Sequence, residues 1–168
     1  MAMRGIMRIG SSAFARAAVE GGAIRVEGRD HSFDFTHVED VTDGIRSMLN
    51  QLAAGERNLS TIHLVSGIPT TLVELASLAV ARAAANVSLI DAPPRNFDVA
   101  HFYGDPSRAL KLLGWTAQID LPSGFSRLAT DIEISIKDSA ESRSRQARHL
   151  NDSMVVSRCE QQGNGCGS

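Results

Sequence analysis

Apolar residues along this chain change period several times, and each change marks an element. Ser11 to Glu20 carries Ala and Arg at helical spacing, with Ser11 or Ser12 as a cap and Gly21-Gly22 as a stop. A short strand is expected over Ala23 to Glu27, then a polar turn over Gly28 to Ser32 and a half-buried strand from Phe33 to Val38. Asp40 is placed to cap the next helix, where Val41, Ile45, Met48, Leu49 and Leu52 make one stripe expected to be buried, and Gly55 and Asn58 break it. Leu59 to Val65 reads as a strand that ends at the turn Ser66-Gly67-Ile68-Pro69.

The second half follows the same logic. Thr71-Leu72-Val73-Glu74 is a capping-box sequence, and it opens a helix whose inner face holds Leu72, Leu75, Ala76, Leu78 and Ala79. Asn86 to Asp91 fits a short strand, and Pro93-Pro94 enforces an extended segment. Asp105 suits an N-cap, Pro106 the first helical position, and Gly114 the left-handed residue that ends a helix. A last helix is expected after Pro122, using Phe125, Leu128, Ala129 and Ile132. From Lys137 the chain turns to Ser, Arg, Gln, Asn and Gly with no sustained period. A disordered tail over 137–168 is therefore expected, with a terminal helix docked through Val155-Val156 as the other option. The boundaries are a folded unit over 1–136 and this tail, and no internal repeat is evident.

Composition narrows the class. At 168 residues, 43% apolar and 21% charged, the chain is long enough to bury one core and reads as a globular protein. A net charge of −2 without clustered Lys and Arg argues against nucleic acid as a partner. No apolar run approaches the roughly 20 residues that cross a bilayer, and the N-terminus, with Arg4 and Arg8, lacks a secretory core, so no membrane role and a cytoplasmic location are expected. Cys159 and Cys166 match neither a redox nor a zinc spacing and read as unpaired thiols.

Four blocks in order carry a family resemblance. They are Ile24-Arg25-Val26-Glu27-Gly28, then Phe33-Asp34-Phe35-Thr36-His37-Val38-Glu39-Asp40-Val41, and third Ile62-His63-Leu64-Val65-Ser66-Gly67 with Thr71-Leu72-Val73-Glu74-Leu75-Ala76. The fourth is Pro94-Arg95-Asn96-Phe97-Asp98-Val99, followed by Asp105-Pro106-Ser107-Arg108-Ala109-Leu110-Lys111-Leu112-Leu113-Gly114-Trp115. Together they resemble the C-terminal part of the extended short-chain dehydrogenase/reductase family, the NAD-dependent nucleotide-sugar epimerases and dehydratases. The implied fold class is α/β, equivalent to the substrate-binding C-terminal part of a Rossmann-type protein.

The resemblance implies a nucleotide-sugar ligand, foremost a UDP-sugar. It places the base along Arg25, Val26 and Glu27, the diphosphate against Arg95, and a ribose hydroxyl against Asp98. A guanidinium fork suits phosphate and a carboxylate accepts from hydroxyls. On residue chemistry alone, Arg95 and Asp98 read as a solvated ion pair on a Pro-led loop. Phe33 stands where the family carries an Arg before Asp-Phe-Thr. Arg29 is the nearest substitute cation, although a turn arginine of this kind is ordinarily solvated.

His37 reads as a strand end and Asp40 as a cap rather than as an acid/base pair, and Trp115 and Phe102 as packing residues. The family's Tyr-x-x-x-Lys is absent: Tyr103 is followed four residues later by Ser107, and the only lysines are Lys111 and Lys137. Gly5 to Gly10 lacks the glycine spacing of a dinucleotide site. No catalytic residue is therefore assigned, NAD belongs to the parent family, and no cofactor is expected to bind this chain alone. The readings, in order, are a substrate-binding lobe inactive by itself, a non-catalytic remnant that binds a nucleotide or a protein, and an unrelated α/β module. For the lobe, a cofactor-binding lobe on another chain or self-association is the expected partner.

Overall fold

The computed structural model describes residues 10–56, 60–83, 86–96 and 98–162, with side chains as far as residue 146. Leu59, Asn58, Phe97, Cys166 and the stretch before Gly10, with Arg4, Arg8 and Gly5, lie outside the described residues, as does the side chain of Cys159. The order is α1 (Ser11–Glu20), β1 (Gly22–Glu27), β2 (Ser32–Asp34), α2 (Val38–Ala53), β3 (Pro69–Thr71), α3 (Leu72–Arg82), β4 (Val87–Ala92), β5 (His101–Phe102), α4 (Ser107–Leu113) and α5 (Leu121–Gln162). The expected mixed α/β class is what the chain adopts.

Two small sheets organise the first unit, residues 1–130. β1 and β4 pair in parallel, in register from Gly22 opposite Val87 to Glu27 opposite Ala92. β2 sits between β3, antiparallel to it, and β5, parallel to it. α1 and α3 pack on each other and on β1. Their small inner residues, Ala15 and Ala18 on one side and Ala76 and Ala79 on the other, allow close approach around Phe14, Leu75, Ile24 and Val26. The capping box at Thr71 and Glu74 forms as expected. The next two free amides of that helix end donate to the β1–β2 turn, Leu72 N–H to the carbonyl of His31 and Val73 N–H to that of Arg29.

Several helix ends differ from expectation. α1 begins at Ser11 without a side-chain cap, because Gly10 occupies the cap position. α2 begins two residues before Asp40: His37 is its cap, accepting from Glu39 N–H at 3.3 Å. In α4, Asp105 lies one position outside Pro106 and takes both the amide and the hydroxyl of Ser107 at 2.8 Å. Gly114 ends that helix at φ +64°, as its position implied. α5 starts at Leu121, where the carboxylate of Asp120 receives Ser123 N–H at 2.7 Å.

Asp40 has a different task. Its side chain is buried, and its two oxygens accept from Gln118 N–H at 3.1 Å and Ile119 N–H at 3.0 Å. Its backbone carbonyl accepts from the Trp115 indole at 2.8 Å. One residue thus ties the start of α2 to the segment between α4 and α5. Trp115 is a packing residue, as expected, with Ala109, Phe125 and Ala129 also buried in this part of the molecule.

The apolar stripe of α2 is not buried. Ile45, Leu49 and Leu52 are 49%, 59% and 49% exposed, because only the side of the helix that bears Asp40 and Gly44 is covered. Gly44 is needed there, since a Cβ would come within 2.6 Å of the Leu64 side chain. The expected strand ending at Val65 is also absent: residues 60–68 run without a ladder partner among the described residues, and a strand exists only by pairing. Side-chain packing holds the segment instead, with Arg108 donating to the Thr61 carbonyl at 2.8 Å.

The strand expected over Phe33 to Val38 stops at Asp34. That carboxylate receives Ser66 N–H, the Ser66 hydroxyl, Gly67 N–H and the Thr36 hydroxyl at 2.7–3.0 Å, so the chain leaves the ladder to wrap the Ser66-Gly67 turn. Gly67 has φ +78°, and a Cβ there would press on Pro106 at 2.9 Å.

The second unit, residues 131–168, is helical as far as Gln162, where composition led to an expectation of disorder from residue 137. A helix satisfies its backbone internally and needs no tertiary face to do so. Here it carries pairs four residues apart, Lys137 with Glu133 and Arg145 with Glu141. Its side chains at 137–146 are exposed, in line with their polarity.

Replacing Asp40 with Ala strands two amides in a buried site, a loss of about 2–5 kcal/mol. The urea midpoint followed by emission of Trp115, the single tryptophan, should fall accordingly; an unchanged midpoint would remove Asp40 from this role.

Candidate functional site

A cavity of about 780 Å³ opens where the two sheets approach. Four of the five residues singled out from the sequence line it: Arg25, Glu27, Arg95 and Asp98. Val26 does not, since its side chain is 1% exposed and belongs to the core beneath. Alternation along β1 explains the split, because Arg25 and Glu27 face away from the side that Ile24 and Val26 bury.

The charged wall is a connected set. Glu27 takes Arg25 Nε on one oxygen at 2.9 Å and Arg95 Nε on the other at 3.1 Å. Arg95 also reaches Asp98 through Nη2 at 2.9 Å, and the Arg95 amide donates to the same carboxylate at 3.1 Å. The Asp98 amide returns a bond to the Arg95 carbonyl, which closes the loop on itself. The pair is half-buried rather than a freely solvated one. The hydrogen bond from Arg95 holds the Asp98 carboxyl below its ordinary range, and Asp98 in turn keeps Arg95 more firmly protonated.

The rest of the lining is mainly apolar and aromatic, with Phe14, Phe33, Phe35, Leu72, Val99 and Phe102 joined by His31 and Asp34. Phe33 and Phe35 lie two residues apart and meet edge to face, with centroids 6.3 Å apart. Phe102 is not the packing residue expected: it is 65% exposed and lines the cavity, because β5 is a two-residue edge strand. Arg29 does not compensate for Phe33: it binds Asp91 on β4 at 2.6 Å and is not part of the cavity wall. Tyr103 is 60% exposed.

His31, Phe14 and Phe33 are lining residues that the sequence does not assign. The spacing of Phe33 and Phe35 is the one local signal for them. His31 is brought in by the turn that α3 clamps, and Phe14 by the packing of α1, neither of which leaves a mark in the local pattern.

The described residues do not fit a dinucleotide. Such a site needs a strand, a glycine-rich turn and a helix whose first amides face a pyrophosphate. β1 and Gly28 lead into β2 rather than a helix, and β3 enters α3 without a glycine. β5 is followed by Gly104 and the seven-residue α4, but the space beside Gly104 is filled by His63 and Val65. Among the described residues no group of His, Cys, Asp and Glu is arranged to hold a metal ion.

Comparison with known proteins supplies the class. The structure of MoeE5 in complex with UDP-glucuronic acid and NAD matches with TM-score 0.60 and 26% identity, over 78% of this chain and 42% of that one. A UDP-glucose-4-epimerase from Stenotrophomonas maltophila, solved with bound NAD and formylated UDP-arabinopyranose, matches with TM-score 0.67 and 23% identity, over 77% of this chain and 41% of that one. The fold is thus that of part of an extended short-chain dehydrogenase. In sequence, a dTDP-L-rhamnose 4-epimerase from Burkholderia thailandensis is 31% identical over 118 residues, 70% of this chain and 32% of the relative. No family profile matches the chain.

The chain is similar to part of the NAD-dependent nucleotide-sugar epimerases, the group to which the four blocks pointed. It spans about a third of the length of that curated relative.

The lowered acidity of Asp98 has a sign that can be measured. A carboxyl whose folded pKa is depressed adds stability above its unfolded value, about 3.9, and that stability is lost as pH falls through the lowered value. Arg95→Ala should therefore be less stable than the parent at neutral pH, and the gap in urea midpoint should narrow below about pH 4. A gap independent of pH would assign the difference to packing.

Proposed function

We propose that this chain is the substrate-binding portion of an NAD-dependent nucleotide-sugar epimerase or dehydratase, and that the cavity receives the nucleoside diphosphate of a UDP-sugar. The observation that carries this reading is the convergence of Arg25, Glu27, Arg95 and Asp98, 68 residues or more apart in sequence between the two pairs, on one cavity wall. In this reading Arg95 faces the diphosphate and Asp98 a ribose hydroxyl. The base lies beside Arg25 and Glu27 and along the backbone at Val26.

The chain is inactive alone in this reading. Proton transfer beside a nicotinamide would need the Tyr-x-x-x-Lys pair that the sequence does not contain, and no strand–glycine–helix unit among the described residues suits a pyrophosphate. Activity then depends on a cofactor-binding lobe that these residues do not supply. The exposed face of α2, with Val38, Ile45, Leu49 and Leu52, and the segment 60–65, which has no ladder partner among the described residues, support a covering partner. The same exposed face favours a second reading, a non-catalytic module that binds a nucleotide or a protein. A cytoplasmic location belongs to both readings; no helix among the described residues is long and apolar enough to cross a membrane.

Calorimetric titration tests the ligand. UDP should give heat, NAD none, and Arg95→Ala should weaken UDP at least about tenfold, the value of one charge-assisted bond. A folded sample that ignores UDP would sink the nucleotide assignment and leave the protein-binding module.

Sedimentation tests the surface. The isolated chain should run above its 18.0 kDa monomer mass, and Leu49→Glu should lower the association. A stable monomer with a high melting temperature counts against the lobe.

A further inference from the structure

Glu27 occupies an unusual position for a residue in an anion site. The cavity wall carries two guanidinium groups, Arg25 and Arg95, and three carboxylates, Glu27, Asp34 and Asp98. Asp34 is committed to the Ser66-Gly67 turn, and Asp98 to its own loop and to the Arg95 guanidinium. Glu27 serves no turn or cap of this kind. Its two oxygens bind one guanidinium each, Arg25 at 2.9 Å and Arg95 at 3.1 Å, and its side chain is about a quarter exposed.

We propose that Glu27 is the internal counter-ion shared by both cavity arginines, and that a ligand phosphate reaches them by displacing it while Asp98 stays on Arg95. The inference rests on the nucleotide reading above and adds what sets its affinity. With Glu27 in place, the wall presents more negative than positive groups to an incoming diphosphate. Once its carboxylate swings away, Arg25 and Arg95 balance Asp34 and Asp98, and the excess negative charge is gone. A nucleoside without phosphate has no need of those guanidiniums, so Glu27 discriminates against charge rather than against the base. The side chain's partial exposure gives it room to leave, while the partly sheltered site keeps the charge interaction stronger than it would be in open water.

The test is calorimetric titration of the full chain and of Glu27→Gln with UDP and with uridine. Glu27→Gln keeps the size and removes the charge; thermal melting and Trp115 emission check its fold, and Glu27→Ala serves as a second variant. The expected result is UDP binding about tenfold tighter in both variants than in the parent, with a much smaller gain for uridine. UDP affinity that is unchanged or lower in the variants overturns the displacement while leaving the nucleotide site standing. Equal weakening of UDP and uridine overturns it too, and makes Glu27 a direct ligand contact. Silence of all proteins toward both ligands overturns the nucleotide reading, and the displacement with it.

Discussion

The register of one parallel strand pair decides where the charged residues of this protein meet. β1 and β4 end side by side, Glu27 opposite Ala92, so Arg95 lies just past the end of β4 within reach of Glu27. A slip of a single residue would move it by about 3.3 Å, beyond hydrogen-bond reach. The register is held from below, where Ile24 and Val26 face α1 and α3 and would be turned outward by any such slip. A hydrophobic constraint thus aligns an electrostatic one.

Asp40 plays a comparable part for the α2, α4 and α5 region. Burying a carboxylate is costly unless its oxygens are satisfied, and here both are, by backbone amides from a segment 78 and 79 residues away. The indole of Trp115 closes the arrangement on the carbonyl of the same residue. The opposite side of α2 has no such covering, so one helix combines a tightly specified face with an apolar face left to solvent. That contrast is why a partner surface enters the functional reading at all.

Much of the fold was legible in local pattern. The spans of α1 and β1, the capping box of α3 and the glycine stop of α4 follow from side-chain chemistry within a few residues. The misassignments share a different cause. Asp40 looks like a cap because capping is what an Asp before a helix ordinarily does; its amide partners are remote in sequence. The stripe on α2 looks buried because periodicity shows which face is apolar and not whether anything lies against it. Residues 60–65 have strand composition, but composition supplies no partner strand.

The sequence by itself determined most of the helices, the strand β1 and the resemblance to epimerases, because short-range sterics, capping and motif order are written in adjacent residues. Only the tertiary structure decided that Arg25, Glu27, Arg95 and Asp98 form one connected set, and that Phe14, Phe33 and Phe102 line the same cavity. Ion pairing and burial depend on distances between segments far apart in the chain. Those distances are set by the strand register and by the packing of α1 and α3.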